Sequence, residues 1–133
     1  RQMCIRDSDC VEPLIDGEQI QYLGEVSHEE KARLLGGATV TLFPITWREP
    51  FGLVMIESMA TGTPVVGMGL GSVPEVIAHG KTGFVCYSLE QMVEMIPDAM
   101  KIDRQTCRDY AIDRFSVQAM TSEYEKVYQT LQR

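Results

Sequence analysis

Glu49 and Glu57 are the residues whose types and spacing most invite chemistry. Pro50 disfavours a helical backbone at Glu49, so Glu49 falls in a loop at the mouth of the helix that follows. The first turn of that helix, near residues 51–54, carries N–H groups with no helical acceptor. Such an N-terminus attracts anions, phosphate above all. Gly52 lets a ligand come close to the backbone. Glu57 lies four residues beyond Leu53, one turn further along the same face. A carboxylate accepts hydrogen bonds from hydroxyls and repels phosphate. Two carboxylates flanking a row of free amides suit a ligand with an anionic centre and hydroxyl groups on both sides. A nucleotide sugar is such a molecule. As two isolated glutamates they would read as a complement to the helix dipole and a solvated helix residue, so the residues around them decide.

The remaining candidates say less. Arg48 and Lys81 are candidate phosphate partners that read more simply as solvated surface charges. Trp47 reads either as a wall of the pocket or as an exposed loop aromatic. The run Gly67-Met68-Gly69-Leu70-Gly71 falls short of a dinucleotide fingerprint, because Ser72 stands where the last glycine belongs. It reads as a turn lining the cleft. His28 and His79 read as exposed. Asp7-Ser8-Asp9 has a metal-binding D-x-D form, but no strand precedes it, and a solvated tail is the simpler reading. Cys4, Cys10, Cys86 and Cys107 form no C-x-x-C pair and stand at no zinc-site spacing from either histidine. Free thiols in a reducing compartment are expected, with no metal site and no cofactor.

These side chains need a scaffold. The 133 residues are 44% hydrophobic and 23% charged, enough for one domain with a real core. Twelve Lys and Arg stand against 19 Asp and Glu, and the net charge of −7 argues against a nucleic-acid partner. No apolar run reaches the roughly 18 residues of a membrane helix. No signal peptide is visible, and a cytoplasmic location is expected. The chain starts at Arg1, and its first ten residues are polar and aperiodic. Residues 1–16 are expected to be poorly structured or foreign to the fold, and residues 17–133 to form the domain.

Within that domain the pattern alternates. Residues 19–23 read as a strand. Ser27 and Glu30 form a capping box for a helix stopped by Gly36 and Gly37. Residues 39–43 are a β-branched run closed by Pro44. Leu53, Ile56 and Ala60 recur at helical spacing, and Gly62 ends that helix. Residues 64–68 and 84–86 are short strands, with Pro74 in the first turn of a helix between them. Ser88 caps a helix over residues 89–99, residues 103–114 form another, and Ser116 caps the last. In that last helix Met120, Tyr124, Val127, Tyr128 and Leu131 form an apolar stripe expected to pack into the core. Strands alternating with helices imply an α/β fold, a Rossmann-like parallel sheet with flanking helices. Its ligands would bind at the carboxyl ends of the strands.

The stretch Glu49-Pro50-Phe51-Gly52-Leu53-Val54, closed by Glu57, resembles the E-x7-E signature of retaining glycosyltransferases of the GT-B fold, in particular family 4. Ala60-Thr61-Gly62-Thr63-Pro64-Val65-Val66, Gly71-Ser72-Val73-Pro74-Glu75-Val76-Ile77, Gly80-Lys81-Thr82-Gly83-Phe84-Val85 and Arg114-Phe115-Ser116 are similar to that family's later motifs. Each piece is short, but their order and spacing agree over nearly the whole chain.

The resemblance implies roles by position. Glu49 would be the catalytic residue and hydrogen-bond hydroxyls of the donor sugar. Backbone N–H groups of Phe51, Gly52, Leu53 and Val54 would hold the sugar and the diphosphate. Glu57 would bind the ribose, and the loop Gly24, Glu25 and Val26 would lie against the nucleobase. The donor would be a nucleotide sugar linked to uridine or guanosine diphosphate. The match covers only the C-terminal half of a GT-B fold, truncated at its N-terminal side. The N-terminal acceptor-binding domain would be a separate part, with any membrane association lying there. The isolated chain is expected to be inactive. Two other readings share the strand–helix alternation: a non-catalytic flavodoxin-like or Rossmann-like binding module, and a sugar-nucleotide epimerase of the GT-B fold.

Overall fold

The computed structural model describes residues 11–131. Asp7-Ser8-Asp9, Cys4 and Cys10 lie outside the described residues. After a short 3-10 turn at Glu12–Leu14 come α1 (His28–Gly37), β1 (Thr41–Phe43), α2 (Leu53–Ala60), β2 (Val65–Met68), α3 (Val73–Val76) and β3 (Gly83–Cys86). Three helices follow: α4 (Leu89–Ala99), α5 (Arg104–Phe115) and α6 (Val117–Leu131). The strands form one parallel sheet in the order β1-β2-β3. Leu42 stands opposite Val66, and Val66 opposite Phe84. Parallel neighbours need a crossover, and α2 and α3 supply the two that this sheet uses.

Side-chain caps set the helix starts. The Ser27, Ser88 and Asp103 side chains accept the backbone N–H of Glu30, Gln91 and Thr106 respectively. The end of α1 differs from expectation. Gly36 and Gly37 lie inside the helix, and the chain leaves it at Ala38. Arg104 explains the extension: its guanidinium donates to the carbonyls of Gly36 at 2.6 Å and Ala38 at 2.9 Å. Carbonyls that a helix end leaves without partners are thereby satisfied from α5.

The main core joins Met55, Met59, Val65, Val73, Ile77, Cys107 and Ala111. A second cluster of Val66, Cys86, Met92 and Ala99 lies under α4. The inward face of α2 is Met55, Ser58 and Met59, whereas Leu53 is 66% exposed. Ile56 and Ala60 only flank that core. Ser58 fixes the rotation of α2: its hydroxyl donates to the Thr63 carbonyl at 3.0 Å and shares a 2.8 Å hydrogen bond with Thr41.

Two further expectations are overturned. Residues 19–23 form no strand. The Asp16 carboxylate instead accepts the N–H groups of Glu18, Gln19 and Ile20 at 2.8–2.9 Å, which winds the backbone into a turn. Those three hydrogen bonds also hold the Asp16 carboxyl below its ordinary range, the one from Ile20 most. The stripe Met120, Tyr124, Val127, Tyr128 and Leu131 is not core either, since each residue is more than half exposed. The principal contact of α6 is with α5, and no described element covers the stripe. No helix among the described residues is long and apolar enough to cross a membrane.

Candidate functional site

Two loops meet at the carboxyl edge of the sheet, residues 44–52 after β1 and residues 69–72 after β2. Glycine geometry makes the meeting possible. Gly71 has φ +62°, and a Cβ there would strike the Glu49 backbone, with Glu49 N at 2.5 Å. The Ser72 N–H donates to the Glu49 carbonyl at 2.9 Å, and the Ser72 hydroxyl donates to the Phe51 carbonyl at 2.9 Å. The loop holding Glu49 is thus tied to its neighbour through Ser72, on either side of Pro50.

Glu49 is held by its carboxylate as well. Oε1 accepts the Gly52 N–H at 3.1 Å, and Oε2 accepts the Trp47 indole N–H at 3.0 Å. Gly52, at φ +76° and ψ +61°, is the left-handed N-cap of α2. That backbone turns its amide toward Glu49, a conformation glycine adopts without steric cost. The N–H groups of Leu53 and Val54 have no acceptor among the described residues. The expected row of free amides is therefore shorter by one, because Glu49 engages Gly52. An open cavity of about 470 Å³ adjoins this loop, lined by Arg48, Glu49, Phe51, Ser72, Arg114 and Phe115.

Glu57 does not line that cavity. It lies in the second turn of α2 and faces α1, where Lys31 Nζ donates to its Oε1 at 2.5 Å. Gly24, Glu25 and Val26 immediately precede Ser27, the N-cap of α1, and so stand outside that helix. Gly24 and Glu25 are exposed and Val26 half-buried, and no strand delivers them to the sheet edge. The first group, Glu49 with residues 51–54, is brought together by α2 and its loop. Glu57 meets α1 through Lys31, whereas residues 24–26 precede that helix and share no hydrogen bond with Glu57 among the described residues.

Sequence reasoning missed Lys31 and left Trp47 undecided. Trp47 stood two residues before Glu49, a spacing that signals contact inside a tight loop. Lys31 is 26 residues from Glu57, and nothing in the chain pattern links them. Lys81 lies elsewhere, over the Tyr110 ring at 5.6 Å. His79 is exposed, and its Nδ1 accepts the Val85 N–H at 3.1 Å. Cys86 and Cys107 are buried free thiols. Burial pushes the Cys107 thiol up to about 11 despite the nearby Arg104 charge. Burial also raises Cys86.

A family model described as glycosyl transferases group 1 matches residues 12–114. The N-acetyl-alpha-D-glucosaminyl L-malate synthase of Bacillus anthracis is 30% identical over 120 residues, covering 84% of this chain and 30% of that protein. A D-inositol 3-phosphate glycosyltransferase of a Nocardioides species is 39% identical over 69 residues, covering 52% of this chain and 15% of its own length. Among solved structures, AviGT4, a glycosyltransferase involved in avilamycin A biosynthesis, superposes with TM-score 0.68 at 25% identity. That superposition covers 86% of this chain and 37% of AviGT4. The chain spans between 15% and 37% of the length of these relatives.

Proposed function

The chain belongs to the glycosyl transferases group 1, family 4 of the GT-B fold, and from that premise we propose that it is the donor-binding domain of a retaining glycosyltransferase. The reading has Glu49 hydrogen-bonding the donor sugar, the amides of residues 51–54 facing the sugar and diphosphate, and Glu57 on the ribose. Residues 24–26 face the nucleobase. The donor is a nucleotide sugar, linked to uridine or guanosine diphosphate. An acceptor-binding domain outside these residues completes the enzyme, and the 133 residues alone do not turn over.

One observation carries the reading: Glu49 is locked by Trp47 and Gly52 at the start of α2, beside the unengaged amides of Leu53 and Val54. Fixed donors at a helix start stabilise negative charge without reorganising, which is what a departing diphosphate requires. The lock also bears on stereochemistry. Both Glu49 oxygens accept hydrogen bonds, which weakens the carboxylate as a nucleophile. Retention by attack on the leaving-group face fits this arrangement better than a covalent sugar intermediate.

Calorimetric titration with uridine and guanosine diphosphates tests the donor site. Binding by the chain and its loss in Glu57→Ala are expected. Unchanged affinity in Glu57→Ala overturns the ribose role, and sugar transfer by the 133 residues alone overturns their inactivity.

A further inference from the structure

The Lys31–Glu57 contact stands apart from the other ion pairs among the described residues. Arg33–Glu30, Lys101–Asp98 and Lys126–Glu123 each join neighbours three apart on one helix. Lys31–Glu57 bridges two helices, and its side chains are 31% and 35% exposed, against 46–80% in the others. Lys31 itself is well anchored, since its N–H bonds the Ser27 carbonyl at 2.8 Å in the first turn of α1. A half-exposed pair adds little to global stability. Its consequence is local. A glutamate side chain otherwise samples several rotamers, and Lys31 selects one of them. The ammonium engages Oε1 and leaves Oε2 with no hydrogen bond among the described residues.

We propose that Lys31 is a positioning residue for the donor: it holds Glu57 so that Oε2 accepts a ribose hydroxyl. The inference rests on the reading of Glu57 as the ribose carboxylate. The ammonium has a second effect. Glu57 is one turn from the amides that face the diphosphate, and an unpaired carboxylate there would repel that dianionic group. Lys31 cancels this charge while the acceptor oxygen stays available.

The test compares uridine, guanosine and adenosine diphosphates with their dideoxyribose counterparts, by calorimetric titration of the full chain. Wild type is expected to prefer the ribose form, and Glu57→Gln to lower that preference by about tenfold, the effect of one charge-assisted hydrogen bond. Lys31→Met is expected to lower the preference several-fold, and to weaken the dideoxy form as well but by less, because the Glu57 charge is no longer cancelled. Lys31→Arg, which keeps the charge, should restore most of it. A purely structural role would weaken both forms equally, and circular dichroism of each variant checks that α1 persists. Full discrimination in Lys31→Met beside its loss in Glu57→Gln overturns the inference alone. Tighter ribose binding in Lys31→Met also overturns it, since the lysine would then compete with the ligand. No discrimination by wild type overturns the ribose reading of Glu57, and the inference falls with it.

Discussion

The Trp47 indole donates its N–H to Glu49 Oε2 at 3.0 Å, across a loop that leaves the tryptophan 41% exposed. Trp47 is the only tryptophan in the chain, so the side chain that orients the proposed sugar-binding carboxylate is also its reporter. Titration with a nucleotide sugar is expected to change tryptophan emission saturably. Trp47→Phe keeps a ring but removes the donor. It is expected to weaken donor binding about three- to tenfold, less than the full worth of one hydrogen bond to a charged group because the indole is partly exposed, with an unchanged unfolding midpoint. Wild-type affinity in Trp47→Phe would show that Gly52 suffices to hold Glu49.

Gly71 tests the stitching of the two loops. Any side chain there collides with the Glu49 backbone and must also adopt φ +62°. Gly71→Ala is expected to cost about 1–3 kcal/mol, from left-handed strain plus displaced loops. Urea unfolding measures the loss, and donor affinity should fall more than the stability change predicts. A variant as stable as wild type would mean that the loops part easily.

Arg104 serves the fold. Its guanidinium donates to the Gly36 and Ala38 carbonyls and to the Thr63 hydroxyl at 2.6–2.9 Å, joining α5, the end of α1 and the entry to β2. Solvent screening tempers this, because the residue is exposed. Arg104→Ala is expected to destabilise by about 1–2 kcal/mol in urea unfolding. Faster hydrogen exchange should appear first at the end of α1. Arg104→Lys cannot span three acceptors with one ammonium and should recover little.

Cys107 gives the pH dependence. Its thiol ordinarily titrates near 9.0, and burial raises it to about 11 in the folded chain. The native state therefore holds this proton more tightly than the unfolded state. This contribution is fully present below pH 9 and is lost as pH rises toward 11. In a Cys4→Ser, Cys10→Ser background, Ellman's reagent at pH 8 should modify Cys86 and Cys107 only at the unfolding rate. Rapid modification of the folded chain would show that the core opens locally.

Much of the fold was legible because its signals are local. Ser27, Ser88 and Asp103 announce helix starts through hydrogen bonds spanning three residues, and each start was placed to within one residue. The β-branched runs before α2 and α3 marked β1 and β2 for the same reason. Residues 19–23 misled because alternation is only a tendency, while Asp16 offers three amides a nearer acceptor. The stripe on α6 is a true helical pattern, but a pattern states which face is apolar, not what lies over it.

By itself, the sequence determined the α/β order from α1 onward, the side-chain caps at the helix starts and the loop that places Glu49 before the start of α2. Those features follow from steric and hydrogen-bonding preferences that act over a few residues. Only the tertiary structure decided that Trp47 and Gly52 divide the two oxygens of Glu49 and that Lys31 holds Glu57. It also turned Met55 and Met59, rather than Leu53, toward the core. Such choices depend on the distance and rotation between elements. Packing of the whole core sets these, and no short stretch of chain encodes them.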